Sequence, residues 1–147
     1  MPRCLVTVLV LPAILGAGPM RGYYRFPAIH ESTIVFTAEG DLWKVGYSGG
    51  AATRLTTHLG QETHAAISPD GSTIAFSAEY EGAAEVYTLP MEGGRPSRLT
   101  FDGKTAKVIG WRGDNRVVYT TRHFSTLPNA QLVAVNLKTR EREIVPL

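Results

Sequence analysis

The strongest constraint on this chain is a repeat with a period of 40 to 46 residues. The segment Ile-Val-Phe-Thr-Ala at residues 34–38 returns as Ile-Ala-Phe-Ser-Ala at 74–78, and again as Val-Val-Tyr-Thr-Thr at 117–121. Each copy is rich in the β-branched and aromatic residues that favour strands. Units of this length that hold several short strands match the blade of a β-propeller, a four-stranded sheet repeated around an axis.

Turns and outer strands repeat together with these central strands. Gly49-Gly50 recurs as Gly93-Gly94, and Arg54-Leu55-Thr56 recurs as Arg98-Leu99-Thr100, both at an offset of 44 residues. An ordinary β-sandwich also alternates, but it gives no reason for turns and outer strands to repeat jointly. We therefore predict an all-β fold, a β-propeller of about three four-stranded antiparallel blades. Because complete propellers typically have four to eight blades, three blades form an incomplete ring. The predicted blades cover approximately residues 22–60, 61–103 and 104–147.

The central unit indicates how such a blade is covered. Pro69-Asp70-Gly71 has the residue types of a tight turn between two strands. In the strand that follows, Ile74, Phe76 and Ala78 form a bulky face, and the residues between them are small. A half-solvated sheet would show charges on its outer face. The pattern therefore favours a sheet that is packed on both sides.

Charge is distributed unevenly along the chain, although the formal net charge is only +2. Residues 21–103 hold six Lys or Arg and ten Asp or Glu, whereas residues 104–147 hold eight and three. Two interpretations remain open: solvated loops and outer strands, or a basic third unit that meets an acidic neighbour. No basic run is interleaved with stacking aromatics, so the sequence predicts no nucleic-acid partner. Cys4 is the only cysteine, which excludes an intrachain disulfide.

Residues 1–21 differ in composition from the repeat and form an apolar extension or signal-like segment. The apolar stretch at residues 4–15 is too short to span a bilayer, which needs about 20 residues. A short basic start, an apolar middle and a small-residue end are typical of a signal peptide, which would direct export. In the alternative interpretation, which we favour, Met20 is the true start and the protein is cytoplasmic. Under either interpretation we expect residues 1–19 to add nothing to the propeller core.

Two groups of residues have the types used in enzyme and metal sites. Gly46-Tyr47-Ser48-Gly49-Gly50 satisfies Gly-x-Ser-x-Gly, a nucleophile pattern that requires a strand before it and a helix after it. The repeat places Ser48 in a hairpin turn that leads to another strand, so a structural turn is favoured. His58, Glu62 and His64 have metal-ligating types, but their spacing matches no helix-borne metal site. We therefore predict no metal site there.

The other candidates also favour structural roles. His30 follows an apolar strand, and His123 begins an inserted loop at residues 123–129; both fit polar surface or cap positions. Trp43 and Trp111 fit packing between blades better than ligand platforms. The sequence has no Gly-rich phosphate loop, no Cys-x-x-Cys pair and no convincing pair of carboxylates. We predict no catalytic, cofactor-binding or metal residue in this chain, and no cofactor.

The start of the first unit resembles a known family. Tyr-Tyr-Arg-Phe-Pro-Ala-Ile-His at residues 23–30, Ile-Val-Phe at 34–36 and Gly-Asp-Leu-Trp at 40–43 are similar to the beginning of the tricorn-type proteases. Ser-Pro-Asp-Gly at 68–71 is the wider repeat signature of TolB-like propellers. The resemblance extends from about residue 22 to residue 103. It implies large proteins with a six-bladed propeller, a seven-bladed propeller, a PDZ-like module and a serine-protease core.

Two hypotheses about function follow from the resemblance. In the first, the chain is a non-catalytic part of the substrate-gating N-terminal propeller of a tricorn-type serine protease, and other sequence carries out proteolysis. No position matches the family's catalytic core, so no catalytic residue is transferred to this chain. In the second, the chain is a stand-alone TolB-like binding or scaffold module. The expected partners are the remaining blades and protease domains of a longer chain, or a second copy of this one. Peptides are further candidates, and no membrane span is expected.

Overall fold

The computed structural model of the protein describes residues 22–113 and 115–146. These residues form twelve strands in three four-stranded antiparallel sheets, and no helix is found among them. The expected all-β propeller blades are therefore confirmed. It follows that no helix in the described ranges is long and apolar enough to cross a membrane. The interpretations of residues 1–21 lie outside the described residues.

Each blade is built from four strands that follow one another in the chain. Blade 1 contains β1 (Arg25–His30), β2 (Thr33–Ala38), β3 (Asp41–Gly46) and β4 (Thr53–Arg54). Blade 2 contains β5 (Glu62–Ile67), β6 (Thr73–Ala78), β7 (Glu85–Pro90) and β8 (Ser97–Arg98). Blade 3 contains β9 (Lys107–Trp111), β10 (Arg116–Thr121), β11 (Gln131–Asn136) and β12 (Arg142–Ile144). The first strands β1, β5 and β9 lie side by side and form the inner rim of an open arc.

The outer strands are shorter than the sequence pattern indicates, and the reason is a side chain. In blade 2 the ladder between β7 and β8 ends at Tyr87 and Arg98. Beyond this point the Thr100 hydroxyl accepts a hydrogen bond from the amide of Val86 at 2.9 Å. Thr56 does the same for the amide of Leu42 in blade 1. The repeated Arg-Leu-Thr therefore marks the end of the outer strand, where a hydroxyl replaces the next backbone partner.

The core consists of two layers, one between each pair of neighbouring blades. Between blades 1 and 2, Val35 and Leu42 pack with the bulky face of blade 2. That face consists of Ile74, Phe76, Ala78, Tyr87 and Leu89. Between blades 2 and 3, the small face of blade 2 packs with Val117, Tyr119, Val133 and Val135. Blade 2 is thus covered on both sides, as its alternating pattern predicts.

Candidate functional site

Ser48 lies in the exposed turn that joins β3 to β4. The turn is closed by a hydrogen bond from the amide of Gly49 to the carbonyl of Gly46 at 2.9 Å. Gly49 and Gly50 have positive φ angles of 85° and 114°, which glycine adopts without strain. A strand follows rather than a helix, and no histidine or carboxylate side chain in the described ranges bonds to Ser48. The Gly-x-Ser-x-Gly pattern here is a hairpin turn in which the serine has no base beside it.

The histidines near Glu62 separate instead of forming a metal site. The ring of exposed His58 lies against that of Tyr80, with 3.9 Å between centroids, and its Nδ1 accepts from the amide of Gly60. His64 lies on the inner rim with its ring centroid 4.3 Å from that of Phe26. Burial and the nearby charge of Lys107 lower the pKa of His64. Within residues 22–113 and 115–146, no three His, Cys, Asp or Glu side chains are grouped to hold a metal ion.

Glu62 is fully buried between blades 1 and 2 and is surrounded by donors. The hydroxyls of Thr56 and Tyr80 donate to its carboxylate, and the amide of Leu42 donates at 3.0 Å. Burial raises the pKa of Glu62, since these hydrogen bonds offset only part of the desolvation. Burial and the hydrogen bond to Glu62 raise the pKa of Tyr80 in turn. Glu62 therefore connects two blades through the loop that joins them.

Blade 2 contains a second buried carboxylate, Glu85, in a different setting. Thr100 donates to it at 2.5 Å, the amide of Gly103 at 2.7 Å, and the guanidinium of Arg98 at 3.3 Å. Burial acts to raise the pKa of Glu85, but these donors and the positive charge of Arg98 lower it overall. Asp41 holds the equivalent position in blade 1, where it pairs with Arg54. A carboxylate–arginine pair therefore closes the ends of two blades, whereas the threonine hydroxyl donates to Glu62 in blade 1 and to Glu85 in blade 2.

In blade 3 this arrangement is replaced by another. Gln131 stands at the position of Asp41 and Glu85, and its buried side-chain oxygen has no hydrogen-bond partner among the described residues. Arg142 bonds instead to Asp102 at 2.5 Å, and the Tyr119 hydroxyl lies 3.3 Å from the same carboxylate. All these groups lie at the edge where one blade leads into the next. They hold loops in place, and none forms a nucleophile–base pair.

The remaining candidates from the sequence contact neighbouring blades. His30 bonds through Nε2 to the carbonyl of Pro69 at 2.8 Å, which joins blade 1 to the first turn of blade 2. The Trp111 indole donates to the carbonyl of Ala66 at 3.0 Å, which joins blade 3 to blade 2. His123 bonds to the carbonyl of Asp102 at 2.9 Å. Sequence reasoning did not anticipate these partners, because they depend on how successive blades are stacked.

Trp43 lies on the face of blade 1 that no described blade covers. It lines a cavity of about 830 Å³ together with Tyr24, Phe36 and Leu59. The indole donates to the carbonyl of Ala38 at 3.1 Å, and the Arg54 guanidinium lies 5.8 Å from the ring centroid. The lining combines these aromatic and apolar side chains with Arg25, Glu39, His58 and Gln61.

The inner rim carries a repeated irregularity that the sequence pattern did not reveal. The pairing of each inner strand shifts register once, after Arg25 in β1, after Thr63 in β5 and near Ile109 in β9. Phe26 and His64 hold positive φ angles of 50° and 53° within these bulges. A β-bulge redirects side chains locally. Bulges at matching places in three inner strands therefore line the rim with Phe26, His64 and Ile109.

Comparison with known proteins agrees with this geometry. Residues 21–147 match the family model described as the tricorn protease N-terminal β-propeller domain. The chain is 41% identical over 97 residues to tricorn protease homolog 1 of Streptomyces coelicolor, covering 65% of this chain and 9% of that protein. It is 26% identical over 133 residues to a putative tricorn-like protease N-terminal subunit of Sulfurisphaera tokodaii, covering 86% of this chain and 67% of the subunit.

Solved structures show the same fold. The crystal structure of the tricorn protease superposes with a TM-score of 0.72 at 24% identity, over 87% of this chain and 13% of that one. A putative TolB from Agrobacterium tumefaciens superposes with a TM-score of 0.73 at 18% identity, over 86% of this chain and 47% of that one. The chain therefore spans about a tenth of the Streptomyces relative and about half of the TolB chain. With its three propeller blades and a family match that covers residues 21–147, this chain belongs to the tricorn protease N-terminal β-propeller domain family.

Proposed function

We propose that this chain is a non-catalytic propeller portion that controls which substrates reach the hydrolytic site of a tricorn-type serine protease. The observation that carries the proposal is the family match over nearly the whole chain, combined with the roles of its polar residues. Glu62, Glu85 and Asp102 all bond within or between blades. These carboxylates therefore hold the blades and loops together, and we infer that the arc acts by contact with substrates rather than by bond cleavage.

A substrate-control role fits the inner rim better than it fits the outer edge. The inner strands carry the bulges, and Phe26, His64 and Ile109 give that rim an aromatic and apolar character. Extended peptides make such contacts through side chains and backbone alike. The Sulfurisphaera relative is named as an N-terminal subunit, which supports a propeller that works alongside separately encoded protease sequence.

A chimera tests this role. The matched segment of the Streptomyces coelicolor homolog is replaced by residues 22–147 of this chain, and cleavage of a short fluorogenic peptide is compared with cleavage of a folded protein. We expect the chimera to cleave the peptide at close to the parent's rate and to discriminate against the folded protein to the same extent as the parent. A variant lacking the segment should lose this discrimination. A chimera that cleaves the peptide normally but also degrades the folded protein would favour a stand-alone TolB-like scaffold instead.

A further inference from the structure

A cavity of about 520 Å³ lies between blades 1 and 2, beside their outer strands; we call it the outer groove. One wall is the segment that follows β4, residues 55–58. The other wall belongs to blade 2 and consists of the loop after β6, Tyr87 in β7 and the residues around β8. Because both walls are described blades, blades that a longer chain adds at either end of the arc do not cover this groove.

Three aromatic rings stand in a row along the outer groove. The ring centroids of His58 and Tyr80 are 3.9 Å apart, and those of Tyr80 and Tyr87 are 4.6 Å apart. All three residues line the groove, and we call them the aromatic wall. Small-molecule sites typically combine such an apolar or aromatic surface with a few placed polar groups. The aromatic wall therefore offers a contact surface for the apolar part of a ligand.

The polar groups of the groove include three donors without an acceptor. His58 Nδ1 accepts from the amide of Gly60 at 2.9 Å, so the hydrogen of the neutral ring lies on Nε2, which is a donor. Tyr87 is only 6% exposed, yet its hydroxyl has no hydrogen-bond partner among the described residues. Burial raises the pKa of Tyr87, which keeps this hydroxyl protonated. The guanidinium of Arg95 forms no ion pair within residues 22–113 and 115–146.

The one carboxylate that lines the groove has another partner. Glu81 pairs with Arg98 at 2.5 Å, and Arg98 also lies 3.3 Å from the buried carboxylate of Glu85. The Glu81 side chain is 71% exposed, so it stands at the rim of the groove. Its charge acts against binding of an anion, but it leaves the three donors without an acceptor.

The groove between blades 2 and 3 shows which acceptor a similar set of donors takes. There the hydroxyl of Tyr119 lies 3.3 Å from the carboxylate of Asp102, and the guanidinium of Arg142 donates to the same carboxylate at 2.5 Å. In the 44-residue repeat, Asp102 holds the place of His58. The chain thus supplies a carboxylate to a tyrosine and an arginine in one groove, and a third donor in the other.

We propose that the outer groove binds a small organic carboxylate, whose charged group bonds to Arg95, the Tyr87 hydroxyl and His58 Nε2 while its apolar part packs on the aromatic wall. A guanidinium matches the two oxygens of a carboxylate with two parallel hydrogen bonds. The volume of the groove lies within the usual range for small-molecule sites. This inference does not depend on the substrate-control role.

The experiment titrates the full chain with benzoate, which carries a carboxylate on an apolar ring. Benzamide is the matched neutral ligand, and inorganic phosphate is an anion without an apolar part. Binding is followed by NMR through the backbone amides of Thr57 and Gly94 and the ring of Tyr87, all of which line the groove. We expect saturable shifts at these signals with a dissociation constant on the order of 1 mM for benzoate. Benzamide and phosphate should each bind at least about 10-fold more weakly.

Four variants identify the groups that bind. Arg95→Gln should weaken benzoate binding by more than about 10-fold, and Tyr87→Phe by about 2- to 10-fold. Glu81→Gln should tighten it by about 2- to 5-fold, because a negative charge leaves the rim. Lys138→Gln is the control, since it removes an exposed positive charge from a turn of blade 3 and should leave binding unchanged. Circular dichroism checks that each variant is folded.

Several results would overturn the proposal. One is benzamide or phosphate binding as tightly as benzoate, which would show that the carboxylate or the aromatic wall contributes nothing. Another is benzoate shifts that lie outside the groove. A third is an equal loss of affinity in Arg95→Gln and Lys138→Gln, which would reduce the effect to the overall charge of the chain.

Discussion

The two buried carboxylates Glu62 and Glu85 have pKa values that are shifted in opposite directions. Glu62 has three neutral donors and no cation, so burial raises its pKa. Glu85 has Arg98 and a backbone amide in addition to Thr100, so its pKa falls despite burial. The difference follows from the donors, because Thr100 and the backbone amides of Gly103 and Asp102 outweigh burial at Glu85, and the positive charge of Arg98 adds to them.

The raised pKa of Glu62 gives a stability dependence on pH with a definite sign. Its contribution is fully present below the ordinary value of 4.5 and is lost as the pH rises through the raised value. The thermal midpoint of Glu62→Gln should therefore increase relative to that of the wild type as the pH rises from about 4 to about 8. Glu62→Ala should lose about 1–3 kcal/mol, because the amide of Leu42 and two hydroxyls lose their acceptor.

The matched control for this series is Glu85→Gln, which should show the opposite slope. A lowered pKa contributes stability above the unfolded value, and this contribution disappears as the pH falls through the folded value. The thermal midpoint that Glu85→Gln loses relative to the wild type should therefore become smaller as the pH falls. Thermal melts of the three variants at several pH values decide the matter, and parallel curves for the two glutamine variants would contradict the assignment.

The exposed serine of the Gly-x-Ser-x-Gly turn should be chemically inert. We expect the purified chain to show no turnover of fluorogenic peptides, because residues 22–113 and 115–146 place no base beside Ser48. Ser48→Ala should change neither activity nor the thermal midpoint. Hydrolysis that is present in the wild type and absent from Ser48→Ala would prove this wrong.

At the scale of strands and turns, the first turn of blade 2 is held by the last residue of β1. The ring of His30 bonds to the carbonyl of Pro69 and lies over Gly71, where a Cβ atom would come within 2.8 Å of its Cε1. Gly71 also has a φ angle of +72°. The turn therefore requires glycine for two reasons, its backbone conformation and its contact with the preceding blade.

A comparison of Gly71 with Gly113 separates the effect of backbone conformation from the effect of the contact with His30. Gly113 occupies the corresponding turn of blade 3 with a φ angle of +62°, and a Cβ atom there would meet nothing within 4 Å. We expect Gly113→Ala to cost about 1–2 kcal/mol from backbone strain alone. Gly71→Ala should cost about 0.5–1.5 kcal/mol more, the value of a lost hydrogen bond. In a His30→Ala background this excess should vanish in chemical denaturation, and an unchanged excess would contradict the role of His30.

The sequence predicts strands better than it predicts contacts between blades. The repeat of Ile34, Ile74 and Val117 is enough to place the second strand of each blade, because local alternation and turn residues determine them. Aligning the copies also reveals Asp41 and Glu85 as equivalent positions. The hydrogen-bond partners of Glu62 and His30 could not be predicted in this way. These partners belong to the neighbouring blade, so they depend on how the blades stack.

At the scale of the whole molecule, the arc has a covered middle and two open ends. Blade 2 is packed on both faces, whereas blades 1 and 3 each have one face that no described blade covers. Apolar faces of this kind promote association. When these residues are prepared as a separate protein, its free energy of unfolding should therefore depend on the protein concentration.

Residues 1–19 should not contribute to this stability. They lie outside the described residues, and the repeat accounts for all three blades without them. Deleting them should leave the thermal midpoint unchanged within error in differential scanning calorimetry at equal protein concentration. A drop of several degrees would show that they pack on the propeller.

The consecutive order of strands within each blade has a consequence under mechanical load. Every backbone ladder in the described residues is confined to one blade, and chiefly side chains cross the boundaries. A chain pulled from its ends should therefore yield sheet by sheet rather than all at once. Each event should release about 14 nm of contour, because a blade holds about 42 residues at roughly 3.4 Å each. A force–extension trace with three evenly spaced peaks would show that the three blades unfold one at a time.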